Sequence, residues 1–247
     1  MPDPTTVRKL FAAVAERYDL LNHVLSLGID RRWRRLLVRG AGIGAGARVL
    51  DVCAGTGDIM VGFIRDGRCG RVVGVDFSIE MLSIAGEKIR ARKGERPAAL
   101  VCADALVLPF ADAIFDVVTM GFGLRNLADY GKGVREAARV LAPGGRLFIL
   151  EFAPPQRGLL LLLYRLYLRY LIPLIGGVLT KRRAAYEHLS ETIAGFLAPN
   201  DVLSLMGRAG LTQLRAQPLT FGIAYRYEGR KKGGGGTIAA ARSRCTP

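Results

Sequence analysis

Histidine is scarce in this chain of 247 residues: His23 and His188 are the only two, and their spacing builds neither a metal cluster nor a catalytic triad. The four cysteines, Cys53, Cys69, Cys102 and Cys245, contain no CxxC pair. Two of them fall in runs that read as buried strands, so reduced thiols in a cytosolic protein are expected. The opening MPDPTTVRKLFAAVAERYDL is polar and charged throughout and lacks the unbroken apolar core of a secretory signal, so a place inside the cell is expected. Acidic residues are in the minority, 21 against 36 Lys and Arg, and the formal charge of +15 draws the chain toward phosphates or anionic lipid headgroups without choosing between them. No internal repeat is present.

What is there is apolar patterning. Half of the residues are hydrophobic, enough for one substantial core, and the chain reads as a single α/β domain. Between 47 and 152, the cofactor-binding core, short apolar runs alternate with helical stretches: ARVLDVC, RVVGVD, AALVCAD, FDVVTM and RLFILEF. That alternation predicts a parallel, doubly wound sheet. Ahead of it Val7, Leu10, Phe11, Val14 and Tyr18 recur at helical spacing and lead to a cationic RRWRR, giving a helical cap over 1–40. A helical insertion over the substrate site is expected at 153–211, two last strands at 212–228, and a basic, Gly-rich, disordered tail at 229–247.

In VLDVCAGTGD a strand carrying Asp51 runs into a loop whose Gly55 and Gly57 let backbone approach a ligand closely at the carboxyl edge of the sheet. RVVGVD ends in Asp76, about 20 residues further on, where nucleotide-binding α/β folds hold ribose hydroxyls, and AALVCAD ends in Asp104. A dinucleotide fingerprint is missing, because GxGxxG starting at Gly55 requires glycine where the chain has Met60. Any one of these residues is most simply a turn or a strand end. The ordered series DVCAGTGD, Asp76, Asp104 before ALVLPF, and VLAPGGRLFILEF is more specific.

That series has the order and spacing of the class I S-adenosylmethionine-dependent methyltransferase fold, which implies a mostly parallel, seven-stranded sheet. The glycine signature of that fold, D/E-x-G-x-G-x-G, has Cys53 here at its first glycine. Together with FAAVAERYDLLNHVLSLGIDRRWRR and LPFADAIFDVVTMGFGLRN, these motifs make residues 7–228 resemble the ubiquinone/menaquinone biosynthesis C-methyltransferase family, of the demethylmenaquinone methyltransferase type. The resemblance implies S-adenosylmethionine as cofactor, with Asp51, Gly55, Thr56, Gly57, Asp76, Asp104, Ala105 and Gly121 around it. The family often carries Asn at the position of Asp104 and Ser at that of Gly121. The implied reaction is methylation of a ring carbon on a polyprenylated hydroquinone, demethylmenaquinol to menaquinol in the first instance.

A sulfonium supplies a reactive methyl and a deprotonated phenol pushes electron density onto the adjacent carbon, so positioning and deprotonation are the protein's share. Arg125, after the fourth strand, is expected to face the cofactor edge and stabilise the developing phenolate or hold a water that takes the proton; a surface ion pair is the plainer reading. Tyr18 and Asn22 lie four apart on a helix and share a face that can close over the site, although core packing explains Tyr18 equally well. Cys53 reads as small apolar filler, since methyl transfer from a sulfonium needs no covalent intermediate on the enzyme.

Residues 158–180 are long enough to span a bilayer, at about 1.5 Å per residue against a hydrocarbon core of roughly 30 Å. A crossing is rejected because it would split one sheet across the membrane. Arg165 and Arg169 near its centre would also cost about 2.5–3.5 kcal/mol each. A helix lying in the interface or roofing a greasy channel is expected instead, with Lys181, Arg182 and Arg183 near headgroups and the protein held peripherally at the inner face of an anionic membrane. A homodimer is left open. Two rival readings are a nucleic-acid methyltransferase, suggested by the charge and RRWRR, and a cofactor-fold protein that only binds quinone or lipid. Against the first, GFGLRN stands where amino-methylating enzymes of nucleic acid carry Asp/Asn-Pro-Pro-aromatic, so no nucleic-acid partner is expected; against the second, the glycine loop is intact. A methyltransferase acting on another lipid or small aromatic compound is the nearest alternative.

Overall fold

Strands buried on both faces need apolar residues at every position, whereas helices packed on them need only one apolar stripe. The computed structural model, which describes residues 19–20, 22–23, 26–92, 97–153, 166, 192–193 and 195–233, sorts the chain on that rule. It contains α1 (Ile29–Ala41), β1 (Ala47–Val52), α2 (Asp58–Asp66), β2 (Cys69–Asp76), α3 (Ile79–Arg90), β3 (Ala98–Cys102) and β4 (Phe115–Gly121). These are followed by α4 (Tyr130–Val140), β5 (Leu141–Phe152), α5 (Pro199–Arg208), β6 (Leu211–Leu219) and β7 (Ala224–Lys231).

The strands form one seven-stranded sheet in the order β3-β2-β1-β4-β5-β7-β6. The first five are parallel, and β7 lies antiparallel between β5 and β6. On one face, Trp33 and Leu37 of α1 and Met60 and Phe63 of α2 pack against Val49, Val72 and Phe148. On the other, Val134 and Ala137 of α4 and Val202 and Met206 of α5 pack against Leu50, Val118, Leu147 and Tyr227. Each Val, Leu, Phe or Met among them, fully buried, contributes about 1.5–3 kcal/mol. The chain leaves β1 toward β2 and later returns to β1's other side as β4, so the strand order reverses between them. In a parallel sheet that reversal opens a crevice at the carboxyl ends of the strands.

The expected seven-stranded, doubly wound architecture is therefore the one present, and all five core strands lie where their apolar runs placed them. One boundary is corrected. β7 runs on to Lys231, so Gly229, Arg230 and Lys231 belong to the sheet and not to the tail: Arg230 pairs with Thr212, and Lys231 Nζ donates to the carbonyls of Arg139 and Leu141 at 3.0 and 2.7 Å. Those bonds satisfy the last carbonyls around the end of α4, which is why the basic residues continue the strand. Cys53, Cys69 and Cys102 are free thiols. Among the described residues no helix is long and apolar enough to cross a membrane. Tyr18, most of 153–191 with its apolar run and Lys181–Arg183, His188 and the tail beyond 233 lie outside the described residues.

Candidate functional site

The carboxyl ends of β1, β2, β3 and β4 meet in one cleft. It is lined by Cys53 and Gly55 after β1, by Asp76, Phe77 and Met81 around the end of β2, by Ala103–Leu106 after β3, and by Gly121–Gly123, Asn126 and Leu127 after β4. Of the residues expected around a cofactor, Gly55, Asp76, Asp104, Ala105 and Gly121 line this cleft. Asp51, Thr56 and Gly57 are not among its lining residues.

Gly55 and Gly57 have φ of 54° and 80°, and a Cβ at Gly57 would press on the Ala85 methyl at 2.9 Å, so the loop needs glycine there for conformation and for space alike. Nothing lies within 4 Å of where a Gly55 Cβ would be, so backbone is open to the cleft at that point. Asp76 anchors the loop: Oδ2 accepts from Gly55 N at 2.8 Å and Oδ1 from Ser78 N at 3.0 Å. Burial raises the Asp76 carboxyl above its ordinary range, and these amides pull it back. Asp104 is exposed at the cleft's rim, with Oδ1 accepting from Leu106 N at 2.8 Å.

Asp51, one residue from the carboxyl end of β1, is buried; Oδ1 accepts from Thr119 Oγ1 at 2.6 Å, while Oδ2 has no hydrogen-bond partner among the described residues. Burial pushes its carboxyl up to about 7, with Thr119 and Arg34 opposing. Thr56 donates to Asp19 Oδ1 at 2.5 Å, and Asp19 also pairs with Lys88, which reaches Asp58 at 2.6 Å. The N-terminal cap thus does touch the glycine loop, but through Asp19 of the YDLLN run. Asn22 is half-buried and is not among the cleft-lining residues; its carbonyl accepts from Ser26 N at 2.9 Å.

Arg125 is not where the sequence reading put it. Its guanidinium is buried and does not line the cleft: Nη1 donates to Glu151 Oε1 at 2.6 Å and to the Phe122 carbonyl at 2.7 Å, and its backbone N donates to Glu151 Oε2 at 3.3 Å. The pair is a buried one rather than a surface one, because Glu151, one residue from the carboxyl end of β5, is fully buried and needs a counter-charge there. Arg125 and Asn126 both bond to the Phe122 carbonyl and hold Phe122, a lining residue of the cleft, at φ 58°. Phe122, Asn126, Phe77 and Met81 are among the lining residues that the sequence does not single out; the first two sit inside the FGLRN motif, and only that motif signals them.

Cys53, read as filler, borders the cleft at φ 56°, in the place of the signature's first glycine. It also explains a glycine elsewhere. A Cβ on Gly123 would run into the Cys53 side chain, whose Sγ would lie 2.8 Å away. Gly123→Ala is therefore expected to cost about 1–3 kcal/mol by overpacking, and Cys53→Gly in the same chain should recover most of it. Denaturant unfolding of the two single variants and the double checks this; strictly additive effects would show that the two positions are not in contact.

S-adenosylmethionine fits these residues on two counts. The unpartnered, buried Oδ2 of Asp51 behind the loop is complementary to an ammonium, and the glycine-floored cleft with Asp76 at one strand end and Phe77, Met81 and Leu106 along its walls suits a ribose and an adenine.

Comparison with known proteins agrees with this geometry. The model of the ubiE/COQ5 methyltransferase family matches residues 2–231. A demethylmenaquinone methyltransferase of Thermus thermophilus is 46% identical over 87% of this chain and 96% of its own, and one of Deinococcus radiodurans is 43% identical over 92% of each. Among solved structures, Haemonchus contortus phosphoethanolamine N-methyltransferase 2 in complex with S-adenosyl-L-methionine shares the fold, at 16% identity and a TM-score of 0.59 over 81% of this chain and 52% of that one. On the breadth of the first match and the identity of the relatives, this chain belongs to the ubiE/COQ5 methyltransferase family.

Proposed function

We propose that this protein methylates a ring carbon of a polyprenylated hydroquinone with S-adenosylmethionine, converting demethylmenaquinol to menaquinol, as a cytoplasmic protein held peripherally at the membrane. The observation that carries this reading is the cleft itself, in which the glycine loop and Asp76 meet an apolar wall of Phe122, Leu127 and Leu106. The names of the two bacterial relatives, demethylmenaquinone methyltransferase in each case, support the naphthoquinol ring.

The cofactor, when bound, supplies an electrophilic methyl on a sulfonium. Asp76 would hold the ribose, Phe77, Met81 and Leu106 the adenine, and Asp51 the ammonium. Gly121, at the end of β4, borders the cleft with its backbone, and its missing side chain makes room for Ile59 packed against it. Phe122 and Leu127 exclude water there, and fixing the ring against the methyl donor is the largest contribution such residues can make, since well-oriented reactants gain about 7–11 kcal/mol of the barrier. The test is methyl transfer to a demethylnaphthoquinol and a demethylbenzoquinol assayed side by side. Turnover of the naphthoquinol by at least about tenfold over the benzoquinol is expected, a difference of about 1.4 kcal/mol in transition-state binding; no turnover of either overturns the reading.

A further inference from the structure

The cationic RRWRR run has no part in the cleft. In α1 its buried side is Trp33, Leu37, Val38 and Ala41, while Arg31, Arg32, Arg35 and Arg39 are exposed. At 3.6 residues per turn these four fall within an arc of about 100°. Among the described residues, Arg34 alone of the RRWRR arginines pairs with carboxylates, those of Asp30 and Asp58; Arg31, Arg32 and Arg35 make no ion pair.

The two most exposed large apolar side chains among the described residues border the same helix. Leu27, 87% exposed, stands two residues before α1, and Phe221, 86% exposed, tips the turn between β6 and β7. Trp33 Nε1 donates to Thr220 Oγ1 at 2.9 Å and ties that turn to the first turns of α1. The Trp33 ring also packs on Phe122, centroid to centroid 6.2 Å, and Phe122 lines the cleft. Leu27 and Phe221 have φ of 51° and 57°, backbone that glycine or asparagine adopts more easily. Among the described residues no burial repays apolar side chains there.

We infer that this face seats the protein on an anionic lipid bilayer, with Leu27 and Phe221 entering the headgroup boundary and the α1 arginines over the phosphates. A nucleic-acid surface would engage the arginines and leave both apolar tips in water; a bilayer engages both. The inference rests on the proposed function for the peripheral attachment itself, to which it gives a surface, and for its consequence, that the cleft bordered by Phe122 is brought to a substrate dissolved in the membrane.

The experiment is co-sedimentation of the full chain with phosphatidylcholine vesicles, with and without phosphatidylglycerol, at low and high salt. The intact chain should sediment with the anionic vesicles and be partly released by salt. Arg31→Glu, Arg32→Glu and Arg35→Glu together should lower partitioning by at least about a hundredfold, since each basic residue near an anionic leaflet contributes about fivefold. Leu27→Asn with Phe221→Asn, which suits left-handed backbone, should remove the binding that survives high salt. Both variants should methylate a water-soluble, short-chain quinol at the rate of the intact chain while losing activity on quinol embedded in vesicles. Undiminished vesicle binding by the arginine variant overturns the inference, as does tighter binding of duplex DNA or RNA than of vesicles when lost in that variant. Vesicle binding is read without catalysis, so failure of the intact chain to methylate any quinol overturns the proposed function and leaves the docking result to stand or fall alone.

Discussion

Glu151→Ala is expected to lower the unfolding free energy by about 3–5 kcal/mol, the usual cost of stripping the partner from a buried ion pair. Glu151 is fully buried and Arg125 nearly so, and among the described residues the alanine would leave the guanidinium with the Phe122 carbonyl and the Phe152 ring but no counter-charge. The carboxylate is felt further away too: burial first, and then the Glu151 charge, raise the Tyr130 and Tyr227 hydroxyls above the ordinary phenol range. Replacing both members by apolar residues, Arg125→Met with Glu151→Leu, should recover most of the stability, because neither charge is then left unpaired. Activity should not recover with it. Without the Arg125 bond the Phe122 carbonyl keeps only the longer Asn126 contact among the described residues, and Phe122 at the cleft is held less firmly, so kcat should stay low while the dissociation constant for S-adenosylmethionine changes little. Denaturant unfolding together with calorimetric cofactor binding separates the two effects. A Glu151→Ala midpoint no lower than that of a surface substitution would remove the pair from the account of stability.

Cofactor affinity should strengthen with pH up to about 7 and then level off, and Asp51→Asn should flatten that profile. The Asp51 carboxyl, raised by burial to about 7 from 3.8, keeps a proton in the folded chain that the unfolded chain has already lost. Its contribution to the stability of the cofactor-free protein is therefore fully present below about 4 and is lost as pH rises through about 7. An ammonium next to the unpartnered Oδ2 favours the ionised carboxylate, so binding releases the proton and is opposed by acid, by up to about tenfold per pH unit. Titration calorimetry in buffers of different ionisation enthalpy on either side of neutrality measures both the affinity and the released proton. The same slope in the intact chain and the asparagine variant would detach Asp51 from the cofactor.

The parallel core is legible in the sequence because strands buried on both faces read as unbroken apolar runs, as RVVGVD and RLFILEF do. Gly55, Asp76, Asp104 and Ala105 are legible as part of the cleft for a related reason. A parallel sheet delivers every strand's carboxyl end to the same edge, so residues just past a strand share a site whatever their separation along the chain.

Local pattern determined the fold class, the glycine loop and the family's motifs, since each depends on residues that are neighbours in sequence. Tertiary structure alone decided what each motif residue touches. Arg125 reads as a free cation in FGLRN because its partner is 26 positions away inside an apolar strand; Thr56 meets Asp19 across 37 positions, and Trp33 meets Thr220 across 187. Gly123 looks like one more loop glycine until Cys53 is found against it. Hydrogen bonds and steric exclusion act over a few ångströms in space, and periodicity in the sequence carries no record of which distant residues the sheet order brings within that range.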